Sequence, residues 1–314
     1  VASGLRIIFF GTPEFAAPAL SALLAHGEEV AAVVCQPDRP KGRGRKLAPP
    51  PVKELAMSAG LPVLQPVKVR TPEFLAELQS YRPDLLVVAA YGRILTGAVL
   101  ALPRLGALNV HGSLLPRYRG AAPIQWAVLN GEAETGITIM QMNEGLDTGD
   151  ILLAEAMPIS PDDTAGSLAM KMAGLGGRLL IAALAKLKAG ELPRLKQDDR
   201  LASLAPPLSK DLSPIVWSRS AREISCQIRG LDPWPMAHTT LAGAKLRLFS
   251  PQVLNESVAA APGTVLRAEQ NGLLVATGEG CLLARELQLE GGKRLPAPEF
   301  FRGRPLAPGL RLGS

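Results

Sequence analysis

The chain has 314 residues, 47% of them hydrophobic and 20% charged, with a net charge of +6 and a pI near 9.4. That length exceeds one compact domain, and the apolar content excludes a disordered chain. An aromatic content of 4% excludes a surface that reads bases with rows of stacked rings, while the modest basic excess fits a polyanionic partner.

Leu5–Phe10 reads as a buried strand. A helix should follow, with Thr12 as N-cap, Pro13 as first helical residue and Phe15, Leu20, Leu23 and Leu24 as its apolar stripe. Val30–Cys35 is the second strand. This βαβ opening suits a nucleotide-binding fold, but the turn reads GTPEF and lacks the G-x-G-x-x-G fingerprint, so a dinucleotide cofactor is not supported.

Gln36–Pro51 (QPDRPKGRGRKLAPPP) carries Arg39, Lys41, Arg43, Arg45 and Lys46 among glycines and prolines. It reads as a mobile basic loop. Such runs are usually solvated surface. This one leaves the carboxyl end of a parallel strand, where ligands of open α/β sheets sit, so its cations suit phosphate contacts. Val52–Ala59 and the segment begun by Thr71-Pro72-Glu73 read as helices, Leu61–Gln65 as a short strand and Leu85–Ala90 as a central one.

Leu105–Gln125 is the stretch that the rest serves. Ala107–Val110 reads as a buried strand that delivers Asn109 and His111 to its carboxyl end on one face. A Gly- and Pro-broken loop then runs to a helix at Pro123. Asn can donate to a developing oxyanion and His can move a proton near neutral pH, which suggests acyl chemistry. A strand-end Asn often only caps a turn, and an isolated His is more often structural. The pair on one face, followed by an exposed basic loop, favours a site.

Thr135–Asn143 and Ile151–Ile159 read as an antiparallel pair around the acidic loop Glu144–Asp150. Asp147, in GLDTG, is by composition a turn residue, but its strand can lie beside the Asn109–His111 strand, where a carboxylate would orient the imidazole and fix its tautomer. Ser113 lacks the G-x-S-x-G setting of a nucleophile. Thr164–Leu187 is a long apolar helix, and Gly190–Ser209 reads as a linker. Beyond it, Ser220 and Glu223 form a capping box. Short strands at Met236–Leu241, Lys245–Val253, Gly263–Arg267, Leu273–Thr277 and Cys281–Gln288 then suggest a small β-barrel. From Pro206 onward, thirteen Lys and Arg stand against nine Asp and Glu, so this part is the more basic for its size.

Cys35, Cys226 and Cys281 have no paired spacing, which implies reduced thiols, a cytoplasmic chain and no metal site. No leader peptide is expected, and no apolar run is expected to reach the ~20 residues of a membrane helix.

NVHGSLLPRYRGAAPIQ with GLDTGD downstream resembles the folate-dependent formyltransferases, which move a formyl group from 10-formyltetrahydrofolate to an amine. FFGTPEFA, QPDRPKGRGRKL, GITIMQMNEGLDTGD and LDPWPMA extend the resemblance over almost the whole chain, most closely to members whose acceptor is initiator methionyl-tRNA. The resemblance implies Asn109, His111 and Asp147 as catalytic residues. It implies folate contacts at Ser113-Leu114-Leu115-Pro116, with Tyr91 and Gly92 at the neighbouring strand end, the pterin lying against Ala89–Gly92 and Met142–Asp147. It implies tRNA contacts from Arg39, Lys41, Arg43, Arg45 and Lys46, with Arg43 foremost. Tyr118 stands where Trp is common, and Lys41 where a small residue is common.

The expected architecture is α/β: a Rossmann-like, mostly parallel sheet with helices on both faces over 1–189, a linker over 190–209, and an OB-like β-barrel that binds tRNA over 210–314. A monomer is expected, with folate as formyl donor and initiator methionyl-tRNA as partner. Three other readings stand beside this one. A formyltransferase acting on a sugar-nucleotide amine would share the trio but not need the basic loop. An RNA-binding module would need the loop but not the trio. A dehydrogenase would need the missing glycine fingerprint.

Overall fold

The computed structural model describes residues 4–41, 46–256 and 258–313. The chain divides into two compact units, one of Val1–Pro123, Thr135–Met157 and Ala169–Ala205, the other of Ile124–Glu134, Pro158–Leu168 and Pro206–Ser314.

The first unit opens with β1 (Arg6–Gly11), α1 (Ala17–Ala25), β2 (Glu29–Val34), β3 (Arg39–Lys41), β4 (Lys46–Ala48) and α2 (Pro51–Ser58). β5 (Val63–Leu64), α3 (Pro72–Ser80), β6 (Leu85–Ala89), α4 (Gly97–Leu100), β7 (Ala107–His111) and β8 (Arg119–Gly120) follow. α5 (Pro123–Leu129) is next, with residues 124–129 counted in the second unit. β9 (Glu134–Gln141), β10 (Ile151–Pro158), α6 (Ala165–Ala189) and β11 (Leu204–Ala205) come next. Seven strands form a sheet in the order β10-β9-β7-β6-β1-β2-β5. β1 pairs parallel with β2 and β6, β6 with β7, and β2 with β5, while β9 runs antiparallel to β7.

Alternation along the central strands supplies two cores. Ile8, Phe10, Leu86 and Val88 pack with Phe74 and Leu78 of α3 and with Val99 and Leu100 of α4. α6 covers the other face so closely that glycine is required. A Cβ on Gly176 would lie 2.8 Å from Val110, and one on Gly177 would lie 3.0 Å from the Pro18 carbonyl of α1. By length and composition the 25-residue α6 is apolar enough to cross a membrane, contrary to the expectation that no run is that long. Here it is a core helix, with Met172, Leu175, Leu180 and Leu184 buried.

Two local expectations change. Glu14–Ala16 is a 3₁₀ turn ahead of α1, and Thr12 does not cap it. The Thr12 hydroxyl instead donates to the Tyr91 carbonyl and accepts the Gln36 N–H, each at 3.2 Å. It thereby satisfies backbone groups beyond the carboxyl ends of β6 and β2, the strands on either side of β1. The flanks of the basic loop are not irregular either, because β3 and β4 pair antiparallel through Arg39–Ala48, Pro40–Leu47 and Lys41–Lys46. Arg43 and Arg45 lie outside the described residues, as do the side chains of Lys41 and Lys46.

In the second unit, α7 (Ala221–Gly230) starts with the expected capping box of Ser220 and Glu223. β12 (His238–Leu241), β13 (Ala244–Leu254), β14 (Val265–Glu269), β15 (Gly272–Ala276), β16 (Cys281–Leu289) and β17 (Leu295–Pro296) follow, and α8 (Ala297–Gly303) closes the series. The strands make one curled antiparallel sheet, a half-barrel ordered β12-β13-β16-β15-β14 with β17 on β16. Ile224 and Ile228 of α7 pack into its concave core with Leu246, Leu248, Leu273 and Leu287.

Candidate active site

β7 ends at the carboxyl edge of the sheet, with Asn109 registered between Val88 and Met140, and His111 opposite Thr138. Asn109 and His111 share one strand face, and Val110 turns to the other against α6. The His111 side chain is 5% exposed. Its Nε2 lies 3.0 Å from the Tyr118 carbonyl oxygen. A carbonyl only accepts, so Nε2 is the donor in this contact. Nδ1 faces the Asp147 carboxylate at 3.6 Å. The Tyr118 carbonyl and the Asp147 carboxylate thus face the two ring nitrogens of His111, the carbonyl at the shorter distance.

Asp147 has its side chain held by backbone. Its Oδ2 accepts the Gly120 N–H at 2.8 Å. Its main-chain φ is +52°, a left-handed conformation that Asp tolerates better than most residues. The loop is pinned beneath by Asn143, whose side chain accepts from Gly145 N and Thr148 Oγ1. Gly149 passes so close to β9 that a Cβ there would meet the Gln141 carbonyl at 1.7 Å.

The SLLP turn is built inward. Ser113 is fully buried, and its hydroxyl donates to the Arg117 carbonyl at 2.6 Å, which leaves no free nucleophile. Thr138 Oγ1 accepts from Leu115 N and donates to the Ser113 carbonyl. Leu114 packs towards Gly136, Leu115 is buried, and the Leu115–Pro116 bond is cis. Only backbone and part of these side chains remain to meet a ligand.

Residues that sequence reasoning passed over hold this turn. The expected linker is paired into the first unit: β11 lies parallel to β8, and Leu195 bridges Ile151. Ser203 accepts the Tyr118 N–H through its hydroxyl and the Arg119 N–H through its carbonyl. Tyr118 thus sits at φ +60° with its carbonyl aimed at His111. Gln197 reaches the Asp147 loop from the same segment. A polar, proline-bearing stretch gives no periodic signal, so nothing in the sequence marks these contacts.

Tyr91 and Gly92 meet Arg39 on a cavity of about 420 Å³, also lined by Thr12, Gln36 and Pro49–Pro51. The Tyr91 ring turns away into the core, edge-on to Phe10, and burial pushes its hydroxyl up to about 12. Its carbonyl accepts from Thr12 and Gln36. Beneath the β3–β4 hairpin, Lys53 donates to both Asp38 oxygens and to Gln65, while Arg93 donates to Gln36 and the Val67 carbonyl. This network roots the basic segment to the sheet edge. A wider hollow of about 720 Å³ over Pro66–Glu77 contains none of the trio. Among the described residues, no three His, Cys, Asp or Glu side chains are grouped to hold a metal ion.

The formyl transferase family matches residues 5–184, and the formyl transferase C-terminal domain matches residues 207–305. The methionyl-tRNA formyltransferase of Desulfotalea psychrophila is 57% identical over 299 residues, covering 95% of this chain and 93% of that protein. An N-formyltransferase from Helicobacter canadensis, solved with folinic acid and dTDP-3-aminofucose, superposes with a TM-score of 0.68 at 19% identity, over 89% of this chain and 98% of that one. HypX from Aquifex aeolicus, solved with tetrahydrofolic acid, gives a TM-score of 0.66 at 18% identity over 95% of this chain, which spans about half (47%) of that longer protein.

Proposed function

This chain belongs to the formyl transferase family, and on that premise we propose that it transfers the formyl group of 10-formyltetrahydrofolate to the free amine of initiator methionyl-tRNA. The observation that carries the reading is the His111–Asp147 pair at the sheet's carboxyl edge, in a chain 57% identical over nearly its whole length to a methionyl-tRNA formyltransferase.

The acceptor nitrogen attacks the formyl carbon, a C–N bond forms and charge develops on the formyl oxygen. Asn109, on the His111 face, donates its amide N–H to that oxygen. Nε2 of His111 is committed to Tyr118, so Nδ1 takes the proton released by the amine. The resulting imidazolium stands opposite the Asp147 carboxylate. The same proton passes to N10 of the folate as the C–N10 bond breaks, which balances the step.

Backbone groups of Ser113–Pro116, Tyr91 and Gly92 hold the folate. Arg39, Lys41, Arg43, Arg45 and Lys46 meet tRNA phosphates, and the basic C-terminal region adds a more general anchor. The proposal includes a catalytic domain over 1–189 and a tRNA-binding domain over 210–314, with the segment 190–209 joined to the first unit as far as Ala205, acting in the cytoplasm as a monomer without a membrane partner. The test is incubation with 10-formyltetrahydrofolate and charged initiator tRNA. Formylmethionyl-tRNA should form with wild type and not with His111→Ala; its absence with wild type would contradict the reading.

A further inference from the structure

We propose that Gln197 is a positioning residue for Asp147, supplied by the segment that sequence reads as a linker. Its carboxamide is fully used. Nε2 donates to the Asp147 carbonyl at 2.8 Å and to the Gly149 carbonyl at 2.7 Å. Oε1 accepts from Arg119 Nε at 3.0 Å and Nη2 at 2.8 Å. Two carbonyls on one side and a guanidinium on the other fix which amide atom points where.

Arg119 is 7% exposed and is held a second time by Asp199 at 2.8 Å. It directly precedes Gly120, whose N–H holds the Asp147 carboxylate. The contacts therefore close a ring. It runs from the carboxylate to Gly120, along the chain to Arg119, through the guanidinium to Gln197, and back to the main chain of Asp147. Such a ring fixes both ends of one residue at once. It holds Asp147 in its left-handed conformation while the carboxylate faces His111. A misplacement of about 1 Å at such a pair costs on the order of a hundredfold in rate. Gln197 itself touches no reacting atom. Its effect passes through Asp147, so the inference rests on the role proposed for the His111–Asp147 pair.

The test compares single-turnover rates at saturating substrates for wild type, Gln197→Ala, Gln197→Glu, Asp147→Ala and the Asp147→Ala, Gln197→Ala double variant. Tetrahydrofolate binding and melting temperature are measured on each. Gln197→Ala should lower the rate at least tenfold while tetrahydrofolate affinity changes less than threefold. Gln197→Glu preserves size and the acceptor for Arg119 but turns an oxygen toward two carbonyls, and should lose at least as much. In the Asp147→Ala background, Gln197→Ala should change the rate by less than twofold. Wild-type rates for Gln197→Ala beside a crippled Asp147→Ala would overturn this inference alone, as would losses that multiply in the double variant. A wild-type rate for Asp147→Ala would overturn the role of the pair and this inference with it.

Discussion

Asp147 accepts the Gly120 N–H at 2.8 Å, while His111 Nδ1 stands farther off at 3.6 Å. The carboxylate is thus anchored by backbone and keeps its place whether or not the imidazole is protonated. A proton arriving on Nδ1 meets a charge already in position, with no reorganisation at the moment of transfer.

Asn109, His111 and Asp147 should behave as one unit. Each change to Ala should lower the transfer rate by about 10²–10⁴, and pairs of changes should lose little more than the worse single change. Tetrahydrofolate affinity should survive, because the SLLP turn is held by Thr138 and Ser203 rather than by the trio. Single-turnover rates beside equilibrium binding check this. Multiplying losses would show independent roles.

Gly120→Ala should damage both stability and rate. Gly120 sits at φ +124°, and a Cβ there would lie 2.7 Å from the Ala205 carbonyl. The strain should cost more than about 1 kcal/mol and displace the N–H that Asp147 needs. Urea unfolding and the transfer rate read the two effects. An Ala variant with wild-type rate would show that the N–H does not position the carboxylate.

The sheet was legible because its strands are uninterrupted apolar runs, and Asn109 and His111 were legible because a period of two puts them on one face. The C-terminal strands were legible from alternation between turn residues. What sequence could not give was the partner of a hydroxyl or an amide. Thr12 has the composition of a cap, yet its hydroxyl bonds across to Tyr91 and Gln36. Ser203 and Gln197 lie in a polar stretch without periodicity, and they matter only because that stretch folds back beside β8. Tyr91 illustrates the converse, since its place at a strand end was readable while the direction of its ring into the core was not.

Asp38 roots the basic segment and should show it in acid. Hydrogen bonds from Lys53 and then Gln65 hold its carboxyl below the ordinary 3.8. A lowered folded value means that the contribution is present above the ordinary carboxylate range and is lost as pH falls through the lower, folded value. Asp38→Asn should therefore lower the urea midpoint at pH 7, and the gap to wild type should close as pH falls below the ordinary carboxylate range. A gap that is constant with pH would show that charge is not involved.

The basic segment should carry tRNA affinity and leave folate alone. Arg43→Ala should weaken tRNA binding most, because a guanidinium holds phosphate or a base edge bidentately. Lys46→Ala should mainly reduce the salt dependence, by a slope of roughly 0.7 to 0.9 for each lost phosphate contact. Binding isotherms across salt concentrations check both. Wild-type affinity at every salt concentration, after all five cations are neutralised, would make the segment ordinary solvated surface.

Acceptor choice tests the whole account most directly. The enzyme is given 10-formyltetrahydrofolate with charged initiator tRNA and a dTDP-amino sugar side by side, and formylated products are followed over time. Methionyl-tRNA should be formylated rapidly, with the reaction abolished by His111→Ala and weakened by neutralising the basic segment, and little or no formylated sugar should form. Preferential formylation of the sugar, indifferent to the loop cations, would contradict the account.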